Sequence, residues 1–98
     1  MINLGYYNGK YGPLEEMTIP MNDRVCYFGD GVYDATYTAN HTIFALDEHV
    51  DRLFRSMALI RIKPDKTKEE VKALLKEMVQ KVESPDQFVY IQVTRGTA

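Results

Sequence analysis

Apolar residues recur every three or four positions in two stretches of the chain, which predicts two amphipathic helices. The first helix begins after Asp47, whose carboxylate is the predicted N-cap, and ends at Lys63-Pro64-Asp65. Its apolar stripe consists of Val50, Leu53, Phe54, Met57 and Ile60. The second helix follows a predicted capping box of Thr67 and Glu70. Its stripe consists of Val71, Leu74, Leu75, Met78, Val79 and Val82.

Shorter segments predict strands before and after these helices. Phe88 to Thr94 alternates in period two, with its valines and isoleucine on one face, and Val32 to Thr38 is rich in β-branched and aromatic residues. A turn at Asn40-His41 leads from the latter segment into a further strand at Thr42 to Ala45. Asn8-Gly9 suits a tight hairpin turn near the start of the chain.

That first hairpin joins Leu4 to Tyr7 with Lys10-Tyr11, and the stretch after it, with Gly12-Pro13 and Ile19-Pro20, is expected to be irregular or an edge strand. Strand pairs joined by short turns, two helices and a closing strand indicate an α+β fold. We expect an antiparallel sheet with both helices packed on one face.

The composition narrows the possible partners. The chain has 98 residues, 45% of them hydrophobic, and a net charge of -2, so it is one domain without a broad field that attracts nucleic acid or a membrane. No apolar run approaches the roughly 20 residues that span a bilayer. Cys26 is the single cysteine, and the N-terminus lacks the pattern of a secretion signal. We therefore expect a soluble, cytoplasmic protein.

One polar strip on the first predicted helix suits a phosphate. At helical spacing, His49, Arg52 and Ser56 lie side by side, and a guanidinium offers a charged fork that matches phosphate oxygens. The alternative is a solvated surface pair of Glu48 and Arg52 at spacing i,i+4, which is the commoner arrangement on helices. A single histidine beside an apolar stripe is likewise more often a packed side chain than a ligand.

Gly29-Asp30-Gly31 precedes a strand rather than a helix, so it does not match a nucleotide-binding loop. We expect a tight turn or bulge in which Asp30 bonds its own backbone. Tyr33 and Tyr37 then point to the same face of the strand, where a phenol could bind a substrate carboxylate. Cys26 lacks a nearby base, so we expect it to be structural, and no Cys/His spacing suits a metal.

The lysines of the chain do not suit covalent catalysis. All of them lie in predicted turns or on polar helix faces: Lys10, Lys63, Lys66, Lys68, Lys72, Lys76 and Lys81. A lysine that forms a Schiff base needs partial burial and a lowered pKa, which none of these positions suggests.

Three segments in order carry a resemblance to a known family: Phe28 to Tyr33, Glu48 to Leu53, and Gln92 to Thr97. They resemble the class IV pyridoxal-phosphate-dependent aminotransferases, over nearly the whole chain. Within that family the D-alanine aminotransferases are more similar than the branched-chain aminotransferases or the aminodeoxychorismate lyases. The resemblance implies that residues 1–98 form the N-terminal small domain of such an enzyme, with the large domain absent.

The resemblance also implies roles for single residues. Arg52 would bind the cofactor phosphate with His49 close by, and Tyr33 would help to bind the substrate carboxylate. Arg95 fits a substrate contact and a structural position at the end of a strand equally well. The parent reaction would move an amino group between a D-amino acid such as D-alanine and a 2-oxo acid, on pyridoxal phosphate held by a lysine of the large domain. The 98 residues alone would then be inactive, with no catalytic residue of their own.

An alternative class is a free-standing α+β binding or interaction module, dimeric and with remnant enzyme residues. Under both interpretations we expect an exposed apolar patch and a homo-oligomer, because a surface that another domain would cover is prone to self-association. The sequence alone does not decide between the two.

Overall fold

The computed structural model describes residues 2–97, and a three-stranded antiparallel sheet lies at its centre. Strand β3 (Gly31–Ala39) is the middle strand, flanked by β4 (Thr42–Ile43) and β5 (Phe88–Thr94). The long pairing of β3 with β5 runs from Gly31 opposite Thr94 to Tyr37 opposite Phe88. The predicted strands are confirmed, although β4 is shorter than expected because Ala45 adopts a left-handed backbone conformation with φ of 50°.

Helix α2 (Leu46–Leu59) follows directly, and it differs from the prediction at both ends. Asp47 lies inside the helix rather than at its N-cap, since the left-handed Ala45 occupies that position without a side-chain cap. Ile60 lies beyond the last turn with 37% of its surface exposed, so its place in the buried stripe was wrong. The rest of the stripe packs inward, with Val50, Leu53 and Met57 buried.

Helix α3 (Lys68–Lys81) begins with the predicted capping box. The Thr67 hydroxyl accepts from the Glu70 backbone N–H at 3.1 Å, and the Glu70 carboxylate accepts from the Thr67 N–H at 2.9 Å. Residues from α2, α3 and the two outer strands β4 and β5 share one core, whose buried members are Ile43, Val50, Val71, Leu75, Val79 and Val89. Ile91 of β5 packs against that core. Both helices therefore cover the same face of the sheet, which confirms the α+β prediction.

A β-hairpin and a short helix lie outside this core. Strands β1 (Gly5–Tyr7) and β2 (Lys10–Gly12) form the predicted hairpin, separate from the main sheet. Helix α1 (Arg24–Phe28) was not predicted. The buried Asp23 caps it by accepting from the Val25 N–H, and the same carboxylate accepts from the Thr94 hydroxyl at 3.0 Å, which ties α1 to the end of β5.

The face of the sheet opposite the helices is aromatic and uncovered within residues 2–97. Its large side chains are Tyr33, Tyr37, Phe44, Phe88 and Tyr90, each more than half exposed. Tyr33 stacks on Tyr90 with ring centroids 5.5 Å apart, and Tyr37 stacks on Phe44 at 5.0 Å. Each of the five rings exposes about 100 Å². Their summed exposed area matches the size of apolar patch that usually marks an interaction site.

Among the described residues, no helix is long and apolar enough to cross a membrane. The cytoplasmic location stays a prediction.

Candidate cofactor-phosphate site

A buried carboxylate on the sheet brings the two predicted phosphate residues together. Asp34 of β3 points toward α2, and its side chain is only 3% exposed. Its Oδ2 accepts from Arg52 Nε at 2.7 Å, and its Oδ1 accepts from Arg52 Nη2 at 2.9 Å and from His49 Nδ1 at 2.6 Å. Arg52 therefore pairs with the sheet and not with Glu48, the partner that the surface-pair alternative required.

The close approach of His49 Nδ1 to the carboxylate fixes which nitrogen carries the proton. An unprotonated Nδ1 at 2.6 Å from a carboxylate oxygen would place two lone pairs against each other, so Nδ1–H donates to Asp34. The 3.3 Å approach of Arg52 Nη2 to the same nitrogen is then a contact between two donors, not a hydrogen bond.

The electrostatics of this cluster favour its charged state. The hydrogen bonds from Arg52 lower the pKa of Asp34 from its ordinary 3.8 to about 2, with His49 adding to the effect and burial opposing it. The same contact raises the pKa of Arg52, to which the hydroxyl of nearby Tyr33 contributes in smaller measure. Asp34 is therefore ionised, and Arg52 cationic, at neutral pH.

Arg52 keeps donors for a ligand although it is paired. A guanidinium has five N–H groups, and Asp34 uses Nε–H and one Nη2–H. The opposite edge, made of Nη1 and the second Nη2–H, remains, and the side chain is 57% exposed. Two parallel donors on a planar edge match a phosphate in bidentate geometry.

Tyr33 precedes Asp34 and so points to the other face of the sheet, with 64% of its surface exposed. Strand β5 pairs along one edge of β3, but on the other edge β4 reaches only Thr38 and Ala39, so within residues 2–97 that edge of the first part of β3 is unpaired. Tyr33 thus stands at an open edge of the sheet.

Arg95 lies in a different cluster. Its Nε donates to Asp30 Oδ2 at 2.8 Å, and its Nη2 donates to the carbonyl of Ile60, just beyond the end of α2, at 2.6 Å. Arg24 donates to the same Asp30 oxygen at 2.8 Å. These contacts tie the end of β5 to the end of α2, so they favour the structural role of Arg95, while its contact with substrate stays a prediction.

The turn before β3 is confirmed, but its aspartate behaves differently from the expectation. Gly29 has φ of 61° as the C-cap of α1, a conformation that favours glycine. The Asp30 carboxylate, expected to bond its own backbone, instead pairs with Arg95 and Arg24, which hold its pKa below the ordinary value. At Gly31 a Cβ would lie 2.8 Å from the Val93 carbonyl oxygen, so close strand pairing requires glycine there.

The remaining candidates lie apart from Arg52. No lysine of the described chain is buried, and Lys72, with a side chain 16% exposed, is bound to Asp47 and Glu69, which raise its pKa. Cys26 is exposed on α1. Among residues 2–97 no group of three His, Cys, Asp or Glu side chains could bind a metal.

Comparison with known proteins identifies the family of the chain. A family model described as amino-transferase class IV matches residues 31–98, which include Asp34, His49 and Arg52. The chain belongs to the class IV aminotransferase family. The resemblance of the three sequence segments is thereby confirmed.

Curated relatives of this class IV chain include D-alanine aminotransferases. That of Bacillus licheniformis is 40% identical over 92 residues, which are 94% of this chain and 32% of that protein. That of Listeria monocytogenes serotype 4b (strain F2365) is 42% identical over 82 residues, 84% of this chain and 28% of that protein. The chain spans about a third of the length of the curated relatives that it matches.

Solved structures share the fold. A T.th. branched-chain amino acid aminotransferase complexed with N-(5'-phosphopyridoxyl)-L-glutamate matches with a TM-score of 0.86 at 23% identity, over 99% of this chain and 35% of that chain. The Escherichia coli branched-chain amino acid aminotransferase matches with a TM-score of 0.82 at 16% identity, over 91% of this chain and 31% of that chain. At these identities the likeness establishes the fold alone, and it confirms the class IV architecture.

Sequence reasoning missed Asp34, the residue at the centre of this cluster. The available signal was a carboxylate at an inward-facing position of a strand, where an ionised group needs a partner. Arg52 and His49 were the polar groups on the helix that packs there.

Proposed function

We propose that residues 1–98 form the N-terminal small domain of a pyridoxal-phosphate-dependent aminotransferase, and that Arg52 binds the phosphate of the cofactor with His49 beside it. The observation that carries this proposal is the arrangement of the Arg52 guanidinium. One edge is bound to the buried Asp34, and the opposite edge is exposed.

The donor set fits the cofactor. A phosphate monoester carries three oxygens and nearly two negative charges, and it is bound most strongly by a planar, permanently charged fork. When bound, pyridoxal phosphate supplies the electron sink that stabilises a carbanion at the substrate α-carbon. The residues of this chain bind and orient the phosphate end of that group.

The substrates that we propose are a D-amino acid such as D-alanine and a 2-oxo acid. The support is the identity of 40% over 92 residues with a D-alanine aminotransferase, which exceeds the 23% shared with a branched-chain enzyme. Tyr33 would bind the substrate carboxylate, since its exposed phenol lies at the open edge of β3, one residue before the Asp34 that binds Arg52. Arg95 would bind the substrate carboxylate only if it gave up its hydrogen bond to Asp30 or to the carbonyl of Ile60.

This polypeptide of 98 residues is proposed to be inactive alone. Transamination on pyridoxal phosphate needs a lysine with a lowered pKa to hold the cofactor and move the proton. Lys72, a lysine with a side chain only 16% exposed, has a raised pKa because of Asp47 and Glu69. We propose that a large domain supplies that lysine and packs near the aromatic face of the sheet, and that the assembled enzyme is a homodimer.

The phosphate proposal is tested by binding of pyridoxamine 5'-phosphate, which lacks the aldehyde that reacts with surface lysines, to the 98-residue chain. We expect fluorescence titration to show tighter binding of this compound than of unphosphorylated pyridoxamine, and loss of that preference in Arg52→Gln. The matched control is Arg55→Gln, because Arg55 is an exposed arginine on the same helix. Equal effects of the two substitutions would contradict the phosphate role of Arg52.

The catalytic proposal is tested by complementation. Alone, the chain should form no pyruvate from D-alanine and 2-oxoglutarate in the presence of pyridoxal phosphate, and sustained pyruvate formation would refute that expectation. Mixed with the separately expressed remainder of the Bacillus licheniformis D-alanine aminotransferase, it should restore pyruvate formation from D-alanine and not from L-alanine. A folded mixture without activity would favour the interaction-module alternative.

A further inference from the structure

We infer that Asp34 is a positioning residue for the phosphate site: it orients the Arg52 guanidinium so that the free edge is presented to a phosphate ester, and it holds the neighbouring His49 in one tautomer. This inference rests on the proposed function, and it assigns a role to a residue that would not itself touch the ligand.

The first argument concerns the freedom of Arg52. An exposed arginine on a helix samples many rotamers, and binding must then fix the side chain at a cost in conformational entropy. Asp34 removes most of that freedom beforehand, because two hydrogen bonds of 2.7 Å and 2.9 Å fix the plane of the guanidinium. Asp34 is itself rigid, since it is buried in the middle strand and lies opposite Ile91 of β5.

The second argument concerns His49. With its proton on Nδ1 and donated to Asp34, the neutral imidazole leaves Nε2 as an acceptor, so Arg52 and not His49 is the donor to the phosphate. His41 has the opposite arrangement, because its Nε2 lies 2.9 Å from the Val82 carbonyl, which can only accept. The two histidines of the chain are therefore expected to be opposite tautomers when neutral, and only that of His49 depends on Asp34.

The third argument is the sign of the charge. A carboxylate behind a phosphate site repels the ligand, so a role limited to electrostatics would make Asp34 unfavourable for binding. An asparagine amide in its place has one acceptor oxygen and one donor NH2 group. It cannot accept two hydrogen bonds from Arg52 and one from His49 as the carboxylate does. Loss of orientation and loss of repulsion thus act in opposite directions on affinity.

The experiment compares Asp34→Asn with Asp51→Asn in the full chain, with pyridoxamine 5'-phosphate as the probe. Asp51 lies on the same helix as Arg52 and pairs with Lys68, so its removal changes the charge without touching Arg52. We expect Asp34→Asn to weaken binding about tenfold, the effect of freeing a side chain that had been fixed. Asp51→Asn should leave the affinity unchanged or slightly raised. Binding by Asp34→Asn as tight as wild type, or tighter, would overturn the inference.

Nitrogen-15 NMR of the imidazoles reports the tautomer of each histidine, which a general loss of stability does not change. In the wild-type chain His49 should show the Nδ1–H tautomer and His41 the Nε2–H tautomer. In Asp34→Asn only His49 should change, whereas Asp34→Glu, which restores a carboxylate, should recover the wild-type pattern. Should Asp34→Asn fail to fold, the wild-type spectrum still decides, because a His49 protonated on Nε2 would overturn the inference.

The two proposals fail in different ways. If Arg52→Gln abolishes the phosphate preference while Asp34→Asn does not weaken binding, the phosphate site stands and the positioning role is refuted. If the wild-type chain shows no preference for the phosphorylated compound, the proposed function fails and the positioning role toward phosphate fails with it. The tautomer of His49 then reports only the structural contact.

Discussion

Acid should destabilise the protein through Asp34 by a calculable amount. Its pKa falls from the ordinary 3.8 to about 2 in the folded chain because of Arg52 and His49. A lowered pKa means that ionised Asp34 stabilises the fold above pH 3.8, and that this contribution is lost as the pH falls toward the folded value. The difference of about 1.8 between those two pKa values corresponds to about 2.4 kcal/mol.

The loss has a defined course with pH. For these two pKa values, about 1 kcal/mol of the contribution is lost by about pH 3, and about 2 kcal/mol by about pH 2. Because the Asp34 side chain is only 3% exposed, solvent screening reduces this figure less than it would at a pair with both partners on the surface.

The assay is urea unfolding, followed by far-UV circular dichroism, of wild type and Asp34→Asn between about pH 5 and about pH 2 at constant ionic strength. Other carboxylates with lowered pKa values, such as Asp30 and Glu70, are present in both proteins and cancel in the difference. The difference in the free energy of unfolding should shrink by about 2 kcal/mol over this range. A difference that stays constant with pH would refute the proposed coupling of Asp34 to Arg52.

Three further stability measurements test the fold by urea unfolding at neutral pH. Leu53→Ala, at a side chain with 0% exposure, should cost about 3 kcal/mol, whereas Leu59→Ala, at 84% exposure, should cost less than about 0.5 kcal/mol; similar losses would place the core elsewhere. Thr67→Ala removes the N-cap of α3 and should cost about 1 kcal/mol, and an unchanged midpoint would contradict the capping box. Gly31→Ala should cost about 2 kcal/mol because its Cβ would meet the Val93 carbonyl oxygen, and a neutral result would argue against the β3–β5 register.

Patterns that repeat over many residues allowed most of the fold to be predicted. Helix α3 has a capping box and a clean apolar stripe, and β5 alternates over its full length, so both were predicted with nearly the observed bounds. Helix α1 was missed because Arg24–Phe28 is too short to display a helical period. The start of α2 was misplaced because Asp47 is a good capping residue in isolation, whereas the left-handed Ala45 fixes where the helix begins.

The site was predictable only in part. Arg52 and His49 followed from their spacing on one helix and from the family resemblance, because both signals are local. Their partner Asp34 lies on another element, and only the packing of α2 against β3 brings the three side chains together. The cluster of Arg95 with Asp30 was hidden for the same reason, since the two residues are 65 positions apart.

The decisive observation for the phosphate site is the NMR signal of the Arg52 guanidinium during titration with pyridoxamine 5'-phosphate. We expect the assigned Arg52 resonances to shift with this compound and to stay in place with unphosphorylated pyridoxamine, while those of Arg55 respond to neither. Arg52 resonances that stay unchanged at saturation with the phosphorylated compound would show that this guanidinium does not bind the phosphate.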